Sequence, residues 1–190
     1  LQGAWVSNGV PISVNQENAG VIDSLIVEGA ANFLDSYSCF LRLLKESEIS
    51  RGPINYHKAK KLIDVLAPYL EAAKENYTSA FSLMKDSSFD PGKLQTLETF
   101  DYAGFAAGRR LHIDGVNQVA AFLVKGDIKG VYGKLIGDLD GLLRGIEAVR
   151  EGIKNHTSPG MEDLRTLHQQ YSDLMQFGYY SSLVFAEIQN

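Results

Sequence analysis

The densest grouping of chemically capable side chains in this sequence is Arg109-Arg110-Leu111-His112-Ile113-Asp114. Arginine offers forked N–H donors, histidine exchanges a proton near neutral pH, and a carboxylate can fix the imidazole's orientation. Such a set could hold an anion or orient a general base. The segment also precedes an expected helix start, whose unpaired N–H groups favour negative charge. Arg109, Arg110, His112 and Asp114 are therefore the candidate ligand-binding residues. Each has a plainer reading as well: Asp114 as the helix N-cap, the arginines as solvated side chains, His112 as a loop residue.

Other constellations fail on spacing. A carboxylate-bridged di-metal site inside a helical bundle needs two Glu-x-x-His pairs, and the chain contains none. Its histidines, His57, His112, His156 and His168, are scattered. Non-covalent haem would need an inward His with a Met or a second His. His168 and Met175 share one edge of the last helix, a place where a histidine with a structural hydrogen bond is the commoner arrangement. Cys39 is the only cysteine, which rules out an intrachain disulfide and a cysteine-rich zinc site. There is no P-loop, no GxGxxG after a strand and no GxSxG. No catalytic residue, metal or cofactor is expected from these patterns. Tyr69, Tyr77, Tyr171, Tyr179 and Tyr180 are candidates to line a small-molecule pocket at one bundle end, with core packing as the competing role.

One segment is unusual for a different reason. Gly126, Gly130, Gly133, Gly137, Gly141, Gly145 and Gly152 recur through a stretch that is otherwise helical in period. At 100° per residue they fall within an arc of about 120°. Val131, Leu135, Leu139, Leu142, Ile146, Val149 and Ile153 centre on nearly the opposite side. The glycines should therefore form a bare groove on the helix's back and stay out of the core. Gly133, Gly137, Gly141 and Gly145 together cost roughly 3–4 kcal/mol against alanine. A close-approaching backbone could offset that cost through dispersion. The occupant would be the chain's own crossover (Ala103, Gly104, Ala107 and Gly108), a second copy of the helix, or a different partner or flat ligand. Gly130, Gly133, Gly137, Gly141 and Gly145 are the candidate contact surface.

The elements that must carry these residues follow from periodicity. Apolar residues recur at helical spacing from about Asn18 to Glu46, with Ile22, Leu25, Ile26, Phe33, Tyr37, Phe40, Leu41 and Leu44 on one face. Gly52-Pro53 stops that helix, and Asn55 offers an N-cap for a second running from Tyr56 to about Lys85. Pro68 falls inside it and should kink it. A turn cluster at 86–92 leads into a less regular stretch with a short helix near Lys93–Phe100, a small-residue run at 103–108, and another short helix capped by Asp114. Asp127 caps a third long helix to about Lys154, and a fourth runs from about Met161 to Ile188. Four periodic segments of nearly equal length, each spanning roughly 42 Å, can cover one another's apolar stripes. The fold expected is all-α: an antiparallel four-helix bundle, with a long crossover carrying short helices between helices two and three. Residues 1–14, with Trp5, read as an extended or disordered lead-in to a single domain over 15–190.

Composition narrows the function. The 190 residues are 45% hydrophobic and 22% charged, ordinary globular usage, with a net charge of −5 that argues against a nucleic-acid partner. His57-Lys58-Ala59-Lys60-Lys61, the nearest thing to a basic patch, reads as a solvated helix face. No run approaches the ~20 apolar residues of a membrane span. The chain begins at Leu1, which fits either removal of a signal sequence and an extracytoplasmic location, or trimming. The leading expectation is a non-catalytic helical module acting through protein–protein contact or as a homodimer. A small-molecule-binding or sensory bundle comes second, and an enzyme built on His112 and Asp114 third.

Overall fold

The structure, a computed structural model, describes residues 16–49, 55–84, 91–157 and 159–189. The expectations for residues 1–14, Gly52-Pro53, the turn at 86–90 and Ser158 lie outside the described residues. Within them the chain is all-helical, without a strand: α1 is Gln16–Ile49, α2 Tyr56–Leu83, α3 Pro91–Thr99, α4 Tyr102–Arg109, α5 Ile113–Leu123, α6 Ile128–Lys154 and α7 Met161–Gln189. No helix among them is long and apolar enough to cross a membrane.

The helix starts follow side-chain chemistry. Asn55 accepts from the backbone N–H groups of His57 and Lys58 at 3.0 and 3.4 Å and so opens α2. Asp101 and Asp127 do the same for α4 and α6, accepting from Gly104 and Gly130 at 2.9 and 2.8 Å. The small-residue run at 103–108 is thus a helix of its own, because Asp101 caps it and alanine favours the conformation. The expected cap at Asp114 is corrected. His112 holds the N-cap position of α5 without a side-chain bond, and Asp114 lies in the first turn. The start is fixed from outside, since the His112 N–H donates to the Tyr180 hydroxyl at 3.1 Å. Asp114 still faces the positive end of the helix dipole there.

Helix ends share one device. The chain leaves α4, α5 and α6 through residues of positive φ, Arg110 at 56°, Gly126 at 67° and His156 at 58°. Each ending makes the same two bonds. Leu111, Asp127 and Thr157 donate five residues back, to Ala106, Phe122 and Gly152, while Arg110, Gly126 and His156 donate three residues back. This is the Schellman pattern, which satisfies terminal carbonyls and prefers glycine at the left-handed position.

Packing joins the long helices through antiparallel pairs. Glu46 of α1 meets Lys58 of α2 at 3.1 Å, and Asn32 donates to Asn76 at 3.0 Å. A Cβ at Gly29 would stand 3.2 Å from the Tyr77 ring, so the missing side chain sets how closely α1 and α2 approach. Between α2 and α6, Lys74 pairs with Asp140 at 2.5 Å and Asp64 with Arg150 at 3.3 Å. Between α6 and α7, the Lys134 ammonium sits 4.8 Å from the Phe177 ring centroid. α7 returns to α1 mainly through side chains: Phe33, Tyr37 and Phe40 pack on Tyr171, with ring centroids 5.5, 5.3 and 4.9 Å apart.

One continuous apolar core results. All seven apolar residues named on α6, from Val131 to Ile153, are buried. In α2, Ile63, Leu66, Leu70, Ala73, Tyr77, Ala80 and Met84 are buried, while Pro68 lies exposed within the helix. In α1 one position is corrected: Leu41 is 41% exposed and Leu43 is fully buried in its place. Leu41 lies beyond the edge of the stripe centred on Phe40, whereas Leu43, three residues on from Phe40, falls back on the buried side.

Candidate contact face and the Arg109–Asp114 segment

The glycines of α6 sort into two kinds once their surroundings are known. Gly126 is the left-handed exit from α5. At Gly130 a Cβ would reach within 2.6 Å of the Phe122 ring, and at Gly145 within 2.6 Å of Leu167 Cδ2. A Cβ at Gly152, in the closing turn, would stand at an ordinary 3.8 Å from the Thr157 carbonyl oxygen. The centre differs. A Cβ at Gly133 would meet only Phe81 at 3.9 Å, one at Gly141 only the Arg144 side chain of its own helix at 3.9 Å, and one at Gly137 nothing within 4 Å. No described segment of the chain covers this centre. The internal cover, one of the three occupants considered, is not seen: a Cβ at Gly104 would meet only its own cap Asp101, and one at Gly108 nothing within 4 Å. α4 packs on α5 instead.

The bare centre is the floor of a polar cleft of 530 Å³ between α5, α6 and α7. Its walls carry Gln118, Lys134, Asp138, Arg144, Asp173 and Gln176. Lys134 pairs with Asp138 at 2.5 Å and Arg144 with Asp140 within α6, while Asp173 accepts a hydrogen bond from the neutral Gln169 amide at 2.7 Å. Lys74 holds the Asp140 carboxyl below the usual carboxylate range, chiefly by donating a hydrogen bond to it. A second cleft of 360 Å³ continues past Gly145 toward the α6–α7 turn, lined by Ala148, Val149, Pro159, Asp163, Thr166 and Leu167. Gln170 stands between the two clefts. Its buried amide oxygen makes no hydrogen bond and lies against the bare backbone of Gly145, sealed from solvent.

The Arg109–Asp114 segment does not converge on a point. The Arg109 guanidinium pairs with Glu187 of α7 and lies 5.2 Å from the Phe105 ring centroid. Arg110 is exposed at the left-handed exit of α4. His112 and Asp114 are exposed, and the bond tying this segment to α7 comes from the His112 backbone, not from its imidazole. The residue that organises the segment is Tyr180, 5% exposed, which also approaches Gly115 so closely that a Cβ there would stand 2.5 Å from its ring. Sequence reasoning offered Tyr180 as a candidate pocket residue, with core packing as the competing role, and passed over Gly115. A lone glycine in the first turn of a short helix gives no periodic signal.

The other candidate groups are also dispersed. Tyr77 and Tyr171 are fully buried, whereas Tyr69 and Tyr179 are exposed on different helices. Burial pushes the Tyr77 and Tyr171 phenols well above their ordinary value. Tyr171 donates to Ser36 Oγ at 3.3 Å, and Ser36 in turn donates to the Phe33 carbonyl at 2.7 Å, so this buried polar pair is structural. His168 lies against Tyr37 and Phe40, with Nε2 3.4 Å from the Tyr37 hydroxyl, in an aromatic seam between α1 and α7. Lys58 and Lys60 pair with Glu46 and Asp64 on the surface, as a solvated face should. Among the described residues no group of three or more His, Cys, Asp or Glu is placed to hold a metal ion. Compared with protein-family models, curated proteins and solved structures, the chain matches none.

Proposed function

We propose that α1, α2, α6 and α7 make an antiparallel four-helix bundle, with α3, α4 and α5 carried on a crossover between its second and third helices. The antiparallel pairs α1–α2, α2–α6, α6–α7 and α7–α1 support a closed ring of that kind. On this scaffold the chain is a non-catalytic module that works through protein–protein contact or self-association at the centre of α6.

One observation carries the reading. Gly126, Gly130 and Gly145 have uses inside the fold, but Gly137 and Gly141 have none and still lower helix stability by about 0.8–1 kcal/mol each. A partner backbone seated on them would turn that loss into close contact. The alternative is a small-molecule-binding or sensory bundle. What favours it is the cleft beside Gly145, whose 360 Å³ is in the size range of small-ligand sites and whose walls are largely apolar.

Light scattering over a concentration series, with thermal melts, tests the contact in wild type, Gly137→Leu and Gly141→Leu. Self-association gives a wild-type mass above 20.9 kDa that falls to the single-chain value in both variants. A higher melting temperature at unchanged mass would overturn self-association through the central glycines.

A further inference from the structure

We draw no further inference here: the strongest candidate, the polar cleft between α5, α6 and α7 floored by Gly137 and Gly141, belongs to the candidate contact face already described, and nothing in the structure shows what covers it.

Discussion

Gly137 and Gly145 lie two turns apart on the same side of α6, and sequence periodicity treats them as equivalent. Their surroundings do not. Gly145 sits under Leu167 of α7, which is 3% exposed and occupies the space a side chain would need. Gly137 faces open space. A small residue can be required by what presses on it, or it can be required by nothing within the chain. Only the second kind points outward to something else. Gly115 extends the first kind to α5, where the Tyr180 ring takes the place of Leu167.

The largest effects should therefore come where the neighbour cannot yield. Gly115→Ala must displace Tyr180, which is held in the core and bonded to the His112 N–H, so it should destabilise the fold by about 1–3 kcal/mol. Gly145→Leu should cost a similar amount, about 1–3 kcal/mol, against the buried Leu167. Chemical denaturation at fixed pH measures both. A Gly115→Ala variant as stable as wild type would mean that Tyr180 relocates without loss, and the division between the two kinds of glycine would collapse.

At the bare centre the sign reverses. Gly137→Ala and Gly141→Ala add a methyl group to open helix surface, so each should stabilise the single chain by about 0.8–1 kcal/mol. The two sites are four residues apart with no shared partner pressing on them, and the double variant should be close to additive. A melting temperature that fell in either variant would show that something already occupies the groove in solution.

The all-helical character and most helix positions were legible because they rest on period. The buried stripe of α6 was identified residue by residue, as were the caps at Asn55 and Asp127. What escaped was set by contacts between segments distant in sequence. Leu41 and Leu43 are both plausible on a wheel, and only the placement of α2 and α7 decides between them. The start of α5 follows from a Tyr180 hydroxyl 68 residues further on, so capping rules applied to Asp114 alone could not find it. The glycine stripe was legible as a stripe but not as two populations, because only tertiary neighbours separate Gly145 from Gly137.

A third class of glycine sharpens the comparison through the backbone alone. Gly126 occupies the left-handed exit that Arg110 and His156 occupy at the ends of α4 and α6. Gly126→Ala should therefore lose about 1 kcal/mol, since a Cβ in that conformation crowds the following carbonyl. Arg110→Gly and His156→Gly should gain about 0.5 kcal/mol each, the relief being partly offset by a freer unfolded chain. Differential scanning calorimetry on the three variants should give shifts of opposite sign. Equal signs would show that these exits are held by their hydrogen bonds regardless of residue type.

The smallest effect is expected at His112, whose side chain drew attention first. Its imidazole is exposed and makes no capping bond, and the N–H that Tyr180 accepts belongs to the backbone. His112→Ala keeps that donor and removes only a solvated ring, so it should change stability by no more than about 0.5 kcal/mol. Tyr180→Phe is the informative partner. It keeps the ring that packs on Gly115 but removes the acceptor, leaving a part-buried N–H unsatisfied at a cost of about 1–3 kcal/mol. Chemical denaturation of both variants should find the tyrosine change several times larger than the histidine change. If His112→Ala instead abolished binding of a ligand found for this protein while leaving the melt untouched, the segment would act as a site in its own right. The contact face proposed on α6 would then give way to it as the proposed functional surface.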